Sequence, residues 1–184
     1  MAKLSVFNFL TLNGFYKGTK QDISWHQHGD EEGEFSKEGV QSNSIILFGR
    51  TTYDMMYSFW PTRLAMESMP EVADGMNKSE KIVFSKKLKK ADWNNTRVIN
   101  TNAVEEIKKL KKVSRKDMVI LGSGSIVTLC AEHGLIDTYQ IMIDPVAIGT
   151  GTPMFKGMKH RLDLQLLSTK TFKSGIVLLN YKPA

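Results

Sequence analysis

The segment from Met118 to Val127 constrains the fold more than any other part of the chain. An apolar run, residues 118–121, reaches a Gly-Ser-Gly-Ser turn, and a segment with an apolar face, residues 126–133, follows it. This order predicts a buried strand, a tight glycine turn and a helix. Such a turn allows a ligand to approach the backbone, and unpaired N–H groups at a helix start favour a phosphate. The turn alone can equally be a plain connection between two elements.

The same alternation of strand and helix runs through most of the chain. Apolar, β-rich segments predict strands at residues 4–12, 44–48, 81–84, 97–99, 118–121 and 138–143. Helices are expected at residues 30–40, 49–59, 71–78 and 126–133 and in the lysine-rich segment after Asn102. Residues 162–172 and 176–181 predict an antiparallel hairpin, and residues 15–29 and 145–155 are expected to be loops. This pattern indicates an α/β fold with a mainly parallel central sheet, antiparallel C-terminal strands and helices on both faces.

The composition, 41% hydrophobic and 24% charged residues, is typical of a globular protein. The 184 residues predict one domain, 1–184. No apolar run approaches the roughly 20 residues of a membrane-spanning helix, and the N-terminus enters a strand pattern without a signal sequence. The single cysteine, Cys130, excludes an internal disulfide framework, and we expect it to be a small core residue. These points predict a cytoplasmic protein with no membrane partner.

The net charge of +6 is concentrated in two lysine-rich clusters, residues 86–90 and 108–116. The second follows the apolar stripe Val104, Ile107 and Leu110, and is most simply a solvated helix face. A basic module that binds RNA or an acidic partner through these faces is a rival interpretation. Since no nucleic-acid module and no interleaved aromatic residues accompany the lysines, we predict no nucleic-acid partner.

Three predicted strands end in residues that suit phosphate groups. In an open α/β sheet, ligands bind outside the carboxyl ends of the strands. The three sets are Gly49, Arg50, Thr51 and Thr52; Ser85, Lys86 and Lys87; and Gly122, Ser123, Gly124 and Ser125. Together they could neutralise a ligand with several phosphates. Taken singly, Arg50 and Ser85 can instead cap local structure.

The order and spacing of these motifs resemble the dihydrofolate reductase superfamily, in the branch that includes the reductase domain of the riboflavin-biosynthesis deaminase-reductase. The resemblance covers nearly the whole chain. The matching motifs are Thr11-Leu12-Asn13-Gly14, Ser24-Trp25, Leu47-Phe48-Gly49-Arg50-Thr51-Thr52-Tyr53, Val83-Phe84-Ser85-Lys86, Leu121-Gly122-Ser123-Gly124-Ser125, Gly134-Leu135-Ile136-Asp137 and Pro145-Val146-Ala147-Ile148-Gly149-Thr150-Gly151-Thr152-Pro153-Met154-Phe155. These residues do not include the deaminase half, because one cysteine cannot supply its zinc site, and no other metal-ligand spacing appears.

The resemblance implies NADPH as the cofactor. Its pyrophosphate would be held from two sides, by Arg50, Thr51 and Thr52 and by Gly122, Ser123, Gly124 and Ser125. Ser85, Lys86 and Lys87 would meet the adenosine 2′-phosphate, whose charge favours NADPH over NADH. The protein would mainly orient the nicotinamide. A homodimer is also implied, and the edge strands near the C-terminus need a cover.

The residues that assist protonation are less sharply defined by the pattern. Dihydrofolate reductases have an acidic residue near the start of the first helix, where the spacing from Phe35 favours Glu31. This glutamate can instead be a favourable charge in a first helical turn. Asn13 stands where riboflavin-type reductases tend to have aspartate, and an amide can hydrogen-bond but cannot act as a carboxylate. Asp54 can face the cleft or complement a helix dipole.

Thr11 and Trp25 are the predicted substrate contacts. Trp25 lies with His26 and His28 in the loop over the expected pocket, where an aromatic ring can stack on a flat heterocycle, although both histidines fit equally well on the surface. The ten methionines indicate an adaptable core.

We therefore expect an NADPH-dependent reductase that transfers a hydride to a small flat nitrogen heterocycle. The expected substrate is pterin-like or aminopyrimidine-like, as in 5-amino-6-(5-phosphoribosylamino)uracil reductases. The alternative is a non-catalytic protein of the same fold that binds NADPH or another nucleotide. Asn13 and the lack of a clear acid motivate this alternative.

Overall fold

The computed structural model describes residues 1–27 and 29–184, so that His28 lies outside the described residues. The described residues form ten strands: β1 (Leu4–Thr11), β2 (Phe15–Lys17), β3 (Ile45–Gly49), β4 (Lys81–Phe84), β5 (Thr96–Ile99), β6 (Met118–Leu121), β7 (Thr138–Asp144), β8 (Thr152–Pro153), β9 (Leu164–Thr171) and β10 (Val177–Pro183). They also form six α-helices: α1 (Asp30–Gln41), α2 (Arg50–Phe59), α3 (Arg63–Ser68), α4 (Pro70–Lys78), α5 (Ala103–Val113) and α6 (Gly124–Glu132).

The central sheet has eight strands in the order β5-β4-β3-β6-β1-β7-β10-β9 among the described residues. Across the sheet from β5 through β4, β3, β6 and β1 to β7, each strand is parallel to the next. β10 runs antiparallel to β7 and to β9. The hairpin between β9 and β10 closes at Phe172, whose N–H donates to the Ile176 carbonyl at 2.9 Å. The predicted α/β fold with antiparallel C-terminal strands is therefore confirmed.

Alternating side chains of the sheet support helices on both faces. On β3, Ile45 and Leu47 belong to the cluster that contains the apolar stripe of α5 and the buried side of α6. The intervening Ile46 and Phe48 belong to the opposite cluster, with Tyr53 of α2 and the buried residues of α4. Buried parallel strands need cover on both faces, which explains why β3 carries no polar side chain.

Two short elements depart from the expected loops. β2 and β8 pair as a small antiparallel sheet, although both lie in segments expected to be irregular. Their close approach depends on Gly151, because a Cβ at this position would lie 2.6 Å from the Lys17 carbonyl oxygen. Helix α3 was not predicted from the sequence. Of its six residues only Ala65 is buried, so no apolar stripe marks it, and its start is capped by Thr62.

No helix among the described residues has the length and apolar character needed to cross a membrane. Cys130 is buried on α6, where burial raises the pKa of its thiol to about 12. This confirms that the cysteine is a small core residue, since the reactive form of a cysteine is the thiolate.

Candidate functional site

The three phosphate-friendly turns lie together at one edge of the sheet. The strands that precede them, β4, β3 and β6, are consecutive neighbours and run parallel, so that their carboxyl ends point the same way. Neighbouring strands are about 4.8 Å apart, so the three turns lie within about 10 Å along this edge. We call this row of turns, residues 49–52, 85–87 and 122–125, the phosphate edge.

The turn after β6 is fastened to the start of α2. Gly122 and Ser123 have left-handed backbone, with φ of 59° and 53°. In this conformation the Ser123 hydroxyl oxygen accepts the Gly49 N–H at 2.9 Å, and the Ser123 N–H donates to Thr52 Oγ1 at 3.1 Å. Thr52 and Ser123 are both buried. Two of the predicted pyrophosphate ligands therefore bind each other and hold two helix starts side by side.

These helix starts offer donors to an anion. Within residues 1–27 and 29–184, no side chain caps the first turn of α2 or of α6. The unpaired N–H groups and the positive ends of the two helix dipoles favour a phosphate here. Thr51 and Ser125 stand exposed beside them, and each adds a hydroxyl donor.

Gly124 has a packing role in addition to its place in the turn. A Cβ at this position would lie 2.8 Å from Cε1 of Tyr16 and 3.1 Å from the Met154 carbonyl oxygen. The close approach that glycine allows here is thus to the protein itself. Tyr16 in turn lines the cavity described below.

Arg50 and Asp54 form an ion pair on α2. The Arg50 Nε donates to both Asp54 carboxylate oxygens, at 2.8 and 2.6 Å, and both side chains are about half exposed, at 44% and 49%. A guanidinium has five N–H donors, so the pairing leaves donors for a phosphate. Asp54 is not among the described residues that line the cavity. Its geometry is that of a side chain that orients Arg50.

Ser85 caps the turn that follows β4. Its Oγ accepts the N–H groups of Lys87 at 3.2 Å and Leu88 at 3.0 Å. This is the local role that the sequence left open for Ser85. The side chains of Lys86 and Lys87 are exposed next to it and bring positive charge to this end of the phosphate edge.

A cavity of about 820 Å³ lies between the sheet and helices α1, α2 and α4. Its walls include Phe7 and Phe9 of β1, Phe35 of α1, and Phe59 and Trp60 at the end of α2. Thr51, Thr52 and Gly122 also line it, so the cavity opens directly beside the phosphate edge. Phe35 faces into this cavity from α1.

None of the five predicted substrate or catalytic residues, Thr11, Asn13, Trp25, Glu31 and Asp54, is among the described residues of this wall. Thr11 is buried and donates its hydroxyl to Asn13 Oδ1 at 2.8 Å. The Asn13 amide nitrogen donates to the Ile148 carbonyl at 2.8 Å. This hydrogen bond holds the segment 145–155, which is rich in glycine and threonine, next to the end of β1. Trp25 is half-buried, and its Nε1 donates to the Asp22 carbonyl at 3.3 Å. Their direct roles in the chemistry stay predictions.

Glu31 is directed to the C-terminal hairpin. Its carboxylate accepts the Lys173 N–H at 3.0 Å, and this hydrogen bond lowers the pKa of Glu31. The adjacent Glu32 is buried and accepts the Ser174 hydroxyl. On α1, the acidic residue that lines the cavity is Glu38, which is exposed and lies one helical turn after Phe35. That helical spacing is the signal that could have identified it.

A buried histidine–aspartate pair, which was not predicted from the sequence, lies next to the cavity. His26 Nδ1 lies 2.9 and 3.0 Å from the two carboxylate oxygens of Asp144, and the Gln27 N–H donates to Asp144 Oδ1 at 3.0 Å. The His26 ring stacks on Phe9 of the cavity wall, with centroids 3.6 Å apart. His26 and Asp144 are far apart in the chain, so no local spacing marks them. A carboxylate at the end of the apolar strand β7 was the available signal.

Comparison with known proteins agrees with this architecture. YyaP, an uncharacterized protein of Bacillus subtilis (strain 168), is 31% identical over 172 residues, 94% of this chain and 90% of that protein. A solved structure of a candidate riboflavin biosynthesis protein from Shewanella sp. PV-4 has a TM-score of 0.76 and 18% identity, and covers 100% of this chain and 99% of its own. Dihydrofolate reductase from Enterococcus faecalis, solved with NADP(H), has a TM-score of 0.68 at 14% identity and covers 98% and 96%.

A further similar structure belongs to a longer protein whose name includes a deaminase and a reductase. The deaminase/5-amino-6-(5-phosphoribosylamino)uracil reductase of Thermotoga maritima has a TM-score of 0.69 and 14% identity, and this chain spans 57% of that protein. At such identities the solved structures show the fold alone. The family is shown by its own sequence model, which describes the RibD C-terminal domain and matches residues 2–178. This chain therefore belongs to the RibD C-terminal domain family, whose fold is that of dihydrofolate reductase.

Proposed function

We propose that this protein is an NADPH-dependent reductase that transfers a hydride to a flat heterocycle. The observation that carries the proposal is the continuity of the site. Thr51, Thr52 and Gly122 belong both to the phosphate edge and to the wall of the 820 Å³ cavity. A dinucleotide held by its phosphates along the edge therefore has a pocket for a second ring system beside it.

The residues at the edge fit such a cofactor. The N–H groups at the starts of α2 and α6, with Arg50, Thr51 and Ser125, would hold the pyrophosphate. Lys86 and Lys87 would meet an adenosine 2′-phosphate, which is the charge that distinguishes NADPH from NADH. Thr52 and Ser123 would act behind them, because their mutual hydrogen bond keeps the two helix starts in place.

When bound, NADPH supplies a hydride to a ring carbon of a C=N bond, the ring nitrogen takes a proton, and NADP⁺ remains. The chain's own contribution is to orient the two rings and to exclude water with apolar walls. Among the described cavity residues, the carboxylate is that of Glu38, which is exposed. We therefore assign the proton to water at the mouth of the cavity and not to a buried acid.

Separate titrations with NADPH and NADH, followed by tryptophan fluorescence and thermal shift, test the proposal. We expect saturable binding with a preference for NADPH. Arg50→Ala should weaken both cofactors, whereas Lys86→Ala should reduce the preference by about tenfold, the worth of one charge-assisted hydrogen bond. Lys109→Ala, at an exposed position on α5, is the matched control.

Failure of both cofactors to bind at millimolar concentration would refute the proposal. Binding of NADPH without its oxidation across a panel of pterins and pyrimidines would instead support the non-catalytic alternative. The two outcomes are distinct because binding and oxidation are read separately.

We further propose that the protein is a homodimer. β9 forms an edge of the central sheet, and seven of its eight residues are exposed. Leu166 and Leu167 on this strand are each 50% exposed. A long, exposed, partly apolar edge strand invites pairing with another chain, and a second copy would cover it.

A further inference from the structure

The wall of the cavity is almost free of charge. Among the described lining residues, the charged side chains are Lys17 and Glu38, and neither is buried. Lys17 is already engaged, because its Nζ donates to Gln21 Oε1 and lies 5.2 Å from the centre of the Tyr16 ring. The deep part of the cavity thus presents no cation to a ligand.

Six aromatic side chains and the thioethers of four methionines contribute to the rest of the described wall, alongside aliphatic side chains and neutral polar groups such as Asn8 and Gln140. The thioethers belong to Met55, Met56, Met69 and Met76, and they line the helical side of the cavity. Aromatic side chains prefer offset or edge contacts with other flat rings. Methionine is flexible and polarizable, so it adapts to rings of different outline. These walls select for flat apolar surface and tolerate variation in shape.

A phosphate group would be poorly accommodated in such a cavity. Burial of an ion without a partner costs far more than burial of a neutral polar group. The cations of the phosphate edge, Arg50, Lys86 and Lys87, are occupied by the cofactor under the proposed function. A phosphoribosyl group on the substrate would therefore compete with the cofactor for them or lie against the uncharged part of the wall without a cation to pair with.

We infer that the substrate of this cavity is a flat, uncharged, mainly apolar molecule without a phosphate group. This inference rests on the proposed function, because it names the substrate of the same reductase. It separates the chain from the phosphoribosylated uracil that is named for the Thermotoga relative. The cavity volume of 820 Å³ lies near the upper end of the usual range of about 300–1,000 Å³, so more than a single ring fits.

Three flavin-type probes that share one ring system test the inference directly. Lumichrome is flat and uncharged, riboflavin adds a ribityl chain, and FMN adds a phosphate to that chain. Quenching of probe fluorescence by the full-length protein, with saturating NADP⁺ and without it, gives the three affinities. We expect lumichrome to bind at least about tenfold more tightly than FMN, with riboflavin between them, because a phosphate in the cavity loses hydration without gaining a partner.

A charge placed in the wall provides a second readout. Phe59→Arg introduces a cation at the partly exposed rim and should invert or abolish the preference for lumichrome over FMN. Leu64→Arg places the same charge on α3, at a side chain that is 65% exposed and outside the described cavity wall, and should leave the preference unchanged. Both substitutions are at exposed positions, so folding is expected to survive.

The outcomes distinguish this inference from the proposed function. FMN affinity equal to or above that of lumichrome, with NADPH still bound, would overturn the inference and leave the reductase proposal standing. Failure of lumichrome to bind would do the same. If lumichrome binds preferentially while NADPH does not bind, the cavity chemistry is supported and the reductase proposal fails.

Discussion

Replacement of His26 by phenylalanine tests the buried pair beside the cavity. Phenylalanine keeps a ring to stack on Phe9 but removes the Nδ1 donor that faces Asp144. Asp144 is fully buried, and the Gln27 N–H would remain as its hydrogen-bond donor among the contacts described above. The substitution therefore leaves a carboxylate in the interior without its main partner.

The expected cost follows from this geometry. Leaving a buried hydrogen-bond acceptor without its donor typically costs about 1–3 kcal/mol, and more when the acceptor is charged. Since the acceptor is a carboxylate to which the Gln27 N–H still donates, we expect about 3 kcal/mol. For a chain of this length, 1 kcal/mol shifts Tm by about 2–4 °C, so the predicted fall is about 6–12 °C.

Urea unfolding followed by tryptophan fluorescence measures the loss, and a double variant identifies its cause. His26→Phe combined with Asp144→Asn removes the uncompensated charge, so we expect it to recover more than half of the stability lost in His26→Phe. A loss below about 1 kcal/mol in the single variant, or a double variant no more stable than the single one, would refute the reasoning. His133→Phe, at an exposed histidine, serves as the control.

Three further predictions concern the acid limb of stability, the glycine turn and the exposed edge strand. The N–H groups of His160 and Lys159 donate to Glu132 and lower its pKa from 4.5 to about 2. This carboxylate therefore stabilises the fold above about pH 4.5, and its contribution is lost as the pH falls toward 2. Glu132→Gln should reduce the loss of stability on acidification, measured by urea unfolding at a series of acid pH values. Gly124→Ala should destabilise the fold by about 1–3 kcal/mol in thermal unfolding, because the new methyl group meets Tyr16. Gly33→Ala, at an open helical position, should stabilise it by about 0.5–1 kcal/mol. No change in stability for Gly124→Ala would contradict the packing argument. Leu166→Lys should convert a dimer to a monomer in sedimentation experiments while the exposed Val113→Lys does not, and a monomeric parent protein would overturn the dimer proposal.

Local pattern was sufficient for most of the fold. Apolar runs that end at a glycine marked β3 and β6, and the run Ile82-Val83-Phe84 marked β4, since strands buried on both faces are mainly apolar. The cap at Asn102 was also predictable, and its Oδ1 accepts the Val104 N–H at 3.0 Å. Lys81 shows the limit of such reasoning. Its ammonium is buried against three carbonyls at the end of α4, where burial lowers its pKa to about 8, and only the packing of β4 against that helix reveals it.

The part of the site built from turns at strand ends could be predicted from the sequence. The part built from side chains of elements that are distant in the sequence could not. The phosphate edge could be identified because turns after parallel strands converge by topology. The identity of the cavity wall could not, because α1 and α4 contribute residues whose spacing signals only a helix face. Glu31 was favoured by its spacing from Phe35, and the two share a face of α1. The Glu31 carboxylate nevertheless accepts the Lys173 N–H of the C-terminal hairpin, while Phe35 lines the cavity.

The hydrogen bonds from Gly49 to Ser123 and from Ser123 to Thr52 have a consequence for the energetics of ligand capture. They make the orientation of the two helix starts part of the folded state, so the conformational entropy of assembling the donors is lost during folding and not on association. A ligand that spans both helices would then add its binding free energy to the cohesion between β3 and β6. Amide exchange at Ile45, whose N–H donates to the Asp117 carbonyl at 2.8 Å next to β6, should slow in proportion to ligand occupancy.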